Sequence, residues 1–249
     1  MKPYLSIIIP AYNEAKVLPI TLLDINKALS KADFTYEIVV VDNNSTDHTR
    51  EIIQRLQAGI KELRVEECVE QGKANAVKTG MLNAKGEIRL FMDADNSTDI
   101  DQFFQMIPYF KQGYNVVIGS RDIKGAKLIP PQPWYRRIAG DMGNIVIQIL
   151  LLWGMWDTQC GFKAFTERAV NQVFPLAKNK HWAFDVEILS LAKKFGYKIK
   201  EVPVIWKNSP SHNIHVSTYF EFLIDVFKIK WRIMTFKKSY NLKEIAKPV

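Results

Sequence analysis

The tightest constraint on this chain is a set of short apolar runs that no polar residue interrupts, with IVVVD at 38–42 the clearest. A strand solvated on one face alternates apolar and polar positions. A strand covered on both faces does not, and such strands belong to parallel sheets flanked by helices. Candidate strands occupy residues 4–10, 36–42, 63–67, 88–93 and 115–120, while 16–31, 46–56, 73–84 and 100–111 carry helical spacing. This alternation predicts an α/β, Rossmann-like, doubly wound sheet, mixed but mainly parallel, whose ligands bind beyond the carboxyl ends of the strands.

Polar side chains collect at those ends. Tyr12, Asn13 and Glu14 follow the first run, and Asp42, Asn43 and Asn44 close the second. Asp93 and Asp95 close the fourth, and Ser120, Arg121 and Asp122 the fifth. Packing alone gives no reason for the convergence, which predicts one crevice.

The sharpest signal in that crevice is Asp93-Ala94-Asp95. Two carboxylates one residue apart at the end of a buried strand can share a hard cation, Mg²⁺ or Mn²⁺, which takes oxygen ligands and retains water or phosphate oxygens. The competing reading makes one aspartate a helix cap and the other a solvated loop residue; the strand-end position favours the metal. Tyr12 and Glu14 suit contacts to a nucleoside, or equally a turn that opens a helix. Asp42 is placed to accept a hydrogen bond from a base, with Ser45 or Thr46 as the cap of the next helix. Gly72 and Lys73 open a helix whose N-terminus and ammonium suit a phosphate; a plain cap reads as well.

Composition narrows the partners. A chain of 249 residues, 47% hydrophobic, suits a packed catalytic domain with additions and not a disordered one. The formal charge of +8 calls for an anionic partner: nucleic acid, phosphorylated substrate or acidic lipid. No nucleic-acid recognition motif accompanies the aromatic residues, so nucleic acid is not expected. Cys68 and Cys160 lie far apart, which predicts no disulfide framework and a reducing compartment, and Cys160 reads as a packing residue. His181, His212 and His215 lack zinc-ligand spacing. The opening MKPYLSIIIPAYNE does not read as a signal peptide, and no run reaches the roughly 20 apolar residues of a membrane span. The oligomeric state is left open.

Beyond residue 121 the pattern changes. Residues 122–133 read as a loop and 134–156 as a helix with Asp141, Asn144 and Gln148 on one polar stripe. The helix predicted for 216–236 places Glu221, Asp225, Lys228 and Arg232 on one stripe and apolar residues over the rest, before a basic tail with Lys237, Lys238, Lys243 and Lys247. The expected organisation is a catalytic domain over 1–210, followed at 211–249 by an amphipathic, basic element suited to a membrane interface.

Five further segments carry a resemblance: GSRD at 119–122, RRIAGDMGN at 136–144, DTQCGFKAF at 157–165, WAFDVEIL at 182–189 and VPVIW at 202–206. With the four strand-end segments, in this order, residues 6–206 resemble the inverting family 2 glycosyltransferases of the GT-A fold. Within that family they look most like the polyprenyl-phosphate glycosyltransferases, which transfer glucose or mannose to dolichyl phosphate. The resemblance implies a hexose, glucose first, moved from a nucleoside diphosphate sugar, uridine before guanosine, at the cytoplasmic face of a membrane. It implies that Pro10, Tyr12 and Glu14 line the nucleotide pocket with Asp42 against the base; Lys73, from its place at a helix N-terminus, is assigned to the donor as well. It places Asp93 and Asp95 on the metal and diphosphate, Arg121 with Arg136 or Arg137 on the acceptor phosphate, and Gln159, Asp185 and Glu187 around the sugar. Mannose-transferring members usually carry glutamine where this chain has Ser97, which favours the glucose branch. The rival enzyme reading keeps the donor site but glycosylates a sugar hydroxyl in polysaccharide or glycoprotein assembly, with Asp185 or Glu187 as base. A non-catalytic scaffold that retains the fold is the third.

Overall fold

The computed structural model describes residues 2–131, 143–207 and 216–236, with side chains from 220 onward in the last stretch. Seven strands form one sheet: β1 (Leu5–Ala11), β2 (Tyr36–Asp42), β3 (Leu63–Glu67), β4 (Ile88–Phe91), β5 (Val116–Ser120), β7 (Lys163–Thr166) and β8 (Ile199–Pro203), in the order β3-β2-β1-β4-β7-β5-β8. All neighbours are parallel except β7, which runs antiparallel between β4 and β5. The sheet is therefore mixed and mainly parallel, as predicted.

The uninterrupted apolar runs are explained by a core on each face. Along β1 and β2, Ile8, Val39 and Val41 join one buried cluster, while Ile7, Ile9, Ile38 and Val40 join the other. Helix α1 (Leu18–Leu29) covers the second face with Leu18, Leu22, Ile25 and Leu29, beside α2 (Thr49–Gln57) and its Ile53. Helix α3 (Lys73–Asn83), α6 (Glu167–Val173) and α7 (Phe184–Lys194) cover the first. Gly80 lets α3 sit against the sheet, since a Cβ there would lie 2.5 Å from Ile8 Cγ2 and 2.6 Å from Val41 Cγ2.

Several boundaries differ from the sequence expectation. The helix read over 100–111 is a 3₁₀ turn (Ile100–Gln105) followed by α4 (Ile107–Lys111). Pro108 has no N–H to continue a ladder but is at home in the first turn of a new helix. The loop read at 122–133 contains β6 (Lys127–Ile129), which pairs in parallel with β9 (Ile205–Lys207) outside the main sheet. The segment VPVIW spans the end of β8 and the start of β9, which are divided at Val204. The helix read over 134–156 is helical at 143–150 (α5) and has given way to turns by Leu151, with Gly154 at φ +83°. Trp134, Arg136, Arg137, Asp141, His212, His215, Lys237, Lys238, Lys243 and Lys247 lie outside the described residues.

Helix α8 (Val216–Thr235) packs on α7 and has three faces. Val226 and Ile229 are buried, with Phe222 and Ile233 packed beside them. Asp225, Lys228 and Arg232 lie on a second flank, where Asp225 takes Asn179 Nδ2 at 2.8 Å and Arg232 pairs with Glu187 at 2.9 Å. Phe220, Ile224, Phe227, Trp231 and Met234 form a third face, exposed. No described helix is long and apolar enough to cross a membrane.

Candidate active site

The carboxyl ends of β1, β2 and β4 open on one side of the sheet, and at each the chain turns through an asparagine with positive φ: Asn13 (57°), Asn44 (59°) and Asn96 (55°). Asparagine is among the non-glycine residues that best tolerate the left-handed region, which is why it stands where a strand must turn sharply into a loop. Each also bonds sideways. Asn13 Oδ1 accepts from Thr46 N at 2.8 Å, Asn44 Nδ2 donates to Val69 O at 2.6 Å, and Asn96 Nδ2 donates to Asp24 Oδ2 at 3.1 Å. Ser45 and Thr46, expected as caps of α2, serve the rim instead, Ser45 Oγ accepting from Asn13 N at 3.1 Å. The helix opens later, at Thr49, whose N–H is taken by Asp47 at 3.0 Å.

Tyr12 stands half exposed beyond β1, with Pro10 and Glu14 partly covered on either side. Asp42 ends β2, buried, and accepts from Ser45 N at 3.2 Å. Asn43 next to it is a builder of the site that sequence reading did not assign. It donates to the carbonyls of Cys68 and Glu70 and accepts from Gly72 N at 2.7 Å, fixing the turn that presents Lys73 at the start of α3.

From there Lys73 Nζ reaches across to Asp93. Desolvation among the strand ends works against its charge, yet the carboxylates of Asp93, Asp185 and Asp95 outweigh it and raise the ammonium above its usual range. More than half of the Lys73 side chain is open to water, which screens that attraction. Asp93 comes off β4 under the backbone of Gly161, where a Cβ would lie 2.6 Å from Asp93 Cγ. Ala94 between the two aspartates is buried, its carbonyl held by Thr21 Oγ1 at 2.7 Å, and Asp95 projects into solvent while accepting from Ser97 N at 3.0 Å.

Asp185 opens α7 and meets Lys163 Nζ at 2.8 Å. Lys163, fully buried on β7, also donates to the Cys160 carbonyl and lies 5.4 Å from the Phe91 ring centroid. Sequence reading missed it, because a lysine inside a strand reads as solvated; its signal was an inward position between Phe162 and Ala164, Phe165. The centre thus holds Asp93, Asp95 and Asp185 against Lys73 and Lys163, three carboxylates to two ammoniums, an excess of one negative charge.

That donor set suits a divalent cation. Its ligands are oxygen only, and no described cluster of three His, Cys, Asp or Glu could enclose a metal alone. Asp93 and Asp95 would hold the ion together with oxygens of a bound diphosphate and water, the habit of Mg²⁺ and its relatives.

Two of the expected site residues have other partners. Glu187, expected at the sugar with Asp185, is two residues further along α7 and so on a different face of the helix. There it accepts from the N–H groups of Lys178 (2.9 Å) and Asn179 (2.6 Å) and pairs with Arg232, which makes it a support for α8. Arg121 forms a two-pronged pair with buried Asp157, Nε to Oδ2 at 2.7 Å and Nη2 to Oδ1 at 3.0 Å, and its guanidinium lies 4.9 Å from the Trp206 ring centroid. Burial opposes both charges, but each partner overcomes it: the Asp157 carboxyl is held below its ordinary range and the Arg121 guanidinium above its own. Asp157 Oδ1 also accepts from Gln159 N at 3.0 Å, and the buried amide nitrogen of Gln159 is left without a partner among the described residues. Burial pushes the Cys160 thiol up to about 12, in keeping with a packing residue and not a nucleophile.

The model of glycosyl transferase family 2 matches residues 6–174. The chain is 35% identical over 247 residues to a dolichyl-phosphate beta-glucosyltransferase of Dictyostelium discoideum, covering 93% of this chain and 75% of that one. It is 32% identical over 220 residues to the Homo sapiens protein of the same description, covering 81% of this chain and 67% of that one. Among solved structures, glucosyl-3-phosphoglycerate synthase from Mycobacterium tuberculosis in complex with Mn²⁺, uridine diphosphate and glucosyl-3-phosphoglycerate superposes with a TM-score of 0.66. It is 16% identical, with 92% of this chain and 80% of that one covered, a likeness of fold.

Proposed function

The chain belongs to glycosyl transferase family 2, and on that premise we propose that it transfers glucose from uridine diphosphate glucose to dolichyl phosphate or a related polyprenyl phosphate, inverting the anomeric centre. The observation that carries the proposal is the similarity, over 93% of the chain, to a protein described as a dolichyl-phosphate beta-glucosyltransferase. Solved complexes of fold relatives with uridine diphosphate glucose and Mn²⁺ support the choice of donor and of a divalent metal.

The chemistry asks little of a base. A phosphate monoester is ionised near neutral pH, so one of its oxygens attacks the sugar C1 directly. The bond from C1 to the donor diphosphate breaks, and uridine diphosphate leaves with the electron pair. What the protein must supply is alignment of two anionic reactants and stabilisation of the charge on the leaving group. Asp93 and Asp95 would hold a divalent metal, which would supply Lewis-acid charge at that diphosphate.

Pro10, Tyr12 and Glu14 would bind the nucleoside with Asp42 on the base, and Lys73 would bind the diphosphate. Asp185, oriented by Lys163, and the free amide of Gln159 would hold sugar hydroxyls. Arg121 keeps Nη1 outside its bond to Asp157 and would share the acceptor phosphate with Arg136 or Arg137; guanidinium is suited to phosphate. The exposed apolar face of α8, with Ile145, Ile149 and Trp153 of the 143–153 segment, supports peripheral binding to the cytoplasmic face of a membrane, where such an acceptor resides.

The test is transfer from radiolabelled nucleotide sugars to short polyprenyl phosphate, with and without Mg²⁺ or Mn²⁺. Label that partitions into organic solvent and is released by mild acid is expected from uridine diphosphate glucose. Label only on a soluble glycan, stable to mild acid, would refute the phosphate acceptor.

A further inference from the structure

Going round α8 at about 100° per residue, the flank with Asp225, Lys228 and Arg232 lies between the buried face and the exposed apolar one. This flank and loop 178–181 wall a groove of about 540 Å³, whose lining includes Lys178, Lys180, His181, Lys228, Trp231 and Arg232. Its cations outnumber their partners: Lys178, Lys180, Lys228 and Arg232 face Glu70, Asp225 and Glu187, four against three. The Lys180–Glu70 pair at 2.8 Å and the Lys228–Asp225 pair at 3.2 Å are both solvent-exposed on the lysine side. Exposed pairs contribute little, so both ammoniums can turn to a better anion. Arg232 is anchored by buried Glu187 and fixes one wall.

The position of the groove selects its occupant. If Phe220, Ile224, Phe227, Trp231 and Met234 enter the hydrocarbon, the charged flank next to them lies at the level of the headgroups, and Trp231, 70% exposed, marks the boundary, as tryptophan does at membrane interfaces. A ligand with a phosphate in the groove and acyl chains over Phe227 and Trp231 satisfies both surfaces at once; a soluble phosphate satisfies one.

We propose that this groove holds the headgroup phosphate of an anionic phospholipid, fixing the height and tilt of the protein on an acidic bilayer. The proposal rests on the membrane-bound reading above and adds a site to it. The groove adjoins the donor site from outside, since the Lys180 carbonyl lies 3.4 Å from where a Cβ on Gly72 would be. A headgroup that steadies loop 178–181 therefore steadies the turn that presents Lys73.

The experiment measures binding of the full chain to vesicles of phosphatidylcholine alone and of phosphatidylcholine with about one quarter phosphatidylglycerol. The wild type is expected to prefer the acidic vesicles. In the double variant Lys178→Gln, Lys228→Gln, that binding should fall about 25-fold, since each basic residue at an acidic surface contributes about five-fold. Binding to neutral vesicles and transfer to a short acceptor in detergent should stay within about two-fold, because only the acidic-surface contribution is removed. Both lysines are exposed, and circular dichroism checks the fold. An unchanged preference for acidic vesicles in the double variant, or an equal loss on both vesicle types, overturns the site. So does protection of the groove lysines from acylation by free glycerol phosphate to the same degree as by vesicles, which would assign a soluble anion. A wild type that binds neutral vesicles without acidic preference overturns the groove alone. One that binds neither kind overturns the membrane reading itself.

Discussion

Gly161→Ala tests whether the approach of Asp93 is what makes the site work. A Cβ at residue 161 would stand 2.0 Å from Asp93 Oδ2 and 2.6 Å from its Cγ, where ordinary contact begins at 3.4 Å, so the carboxyl group must retreat by about 1.4 Å (3.4 − 2.0). The obstacle is the end of a flexible side chain with room toward solvent, so folding should suffer little, on the order of 1 kcal/mol, the low end for an overpacked site. Catalysis should suffer far more, because a misplacement of about 1 Å in a positioned group can cost about 100-fold. The assay is kcat/KM for uridine diphosphate glucose across a titration of Mn²⁺, alongside chemical denaturation of the same preparation. The expected result is a loss of about 100-fold, a higher metal requirement and a nearly unchanged denaturation midpoint. Activity and metal requirement both within about three-fold of wild type would refute the reasoning, since the approach of Asp93 would then be irrelevant.

Asp95→Ala removes an exposed side chain, so it should abolish metal-dependent turnover without altering the thermal unfolding profile; full activity with Mn²⁺ would remove the metal role given to Asp95. Asp157→Asn leaves Arg121 largely buried without its counter-charge and should cost about 3–5 kcal/mol in urea denaturation. Because the Asp157 carboxyl is depressed in the folded protein, the stability it lends is present above its ordinary value of 3.8 and drains away as pH falls below it. The stability difference between wild type and Asp157→Asn should therefore be flat above about pH 5 and shrink only in acid. Glu187→Ala strips the acceptor from two backbone N–H groups and frees Arg232; hydrogen exchange should quicken in loop 178–179 and α8, at a cost of about 2–3 kcal/mol.

The sheet and the strand-end cluster were legible because both follow from local rules. IVVVD and SIIIP are too continuous for a half-solvated strand, and β2 and β3 run over the residues expected. Asp93, Lys73 and Asp185 do meet at one centre. What could not be read was determined by tertiary neighbours. Glu187 looked equivalent to Asp185 in sequence, but one step of helical geometry sends it to α8. Arg121 looked free for a phosphate because its partner, Asp157, is 36 residues away. Lys163 went unassigned because burial of a charge makes sense only once Asp185 faces it. The strand β6 was hidden in a loop because its partner among the described residues, β9, comes from the other end of the domain.

Asn13, Asn44 and Asn96 carry a further consequence. Since each left-handed turn is also bonded to a neighbouring segment, the loops around the cleft are fastened laterally as well as to their own strands. Along β1, β2 and β3 such an edge behaves like a hoop, since a shift of the Asn13 turn or of the Asn44 turn breaks a bond to the next segment, while the Asn96 turn is moored to α1 through Asp24. The ordering of these three turns is completed when the protein folds, so the donor proposed for this cleft has little left to arrange at them. The same hoop narrows what evolution can substitute. Glycine preserves the turn and loses the bond, alanine strains the turn and loses the bond as well, and a β-branched residue fits neither.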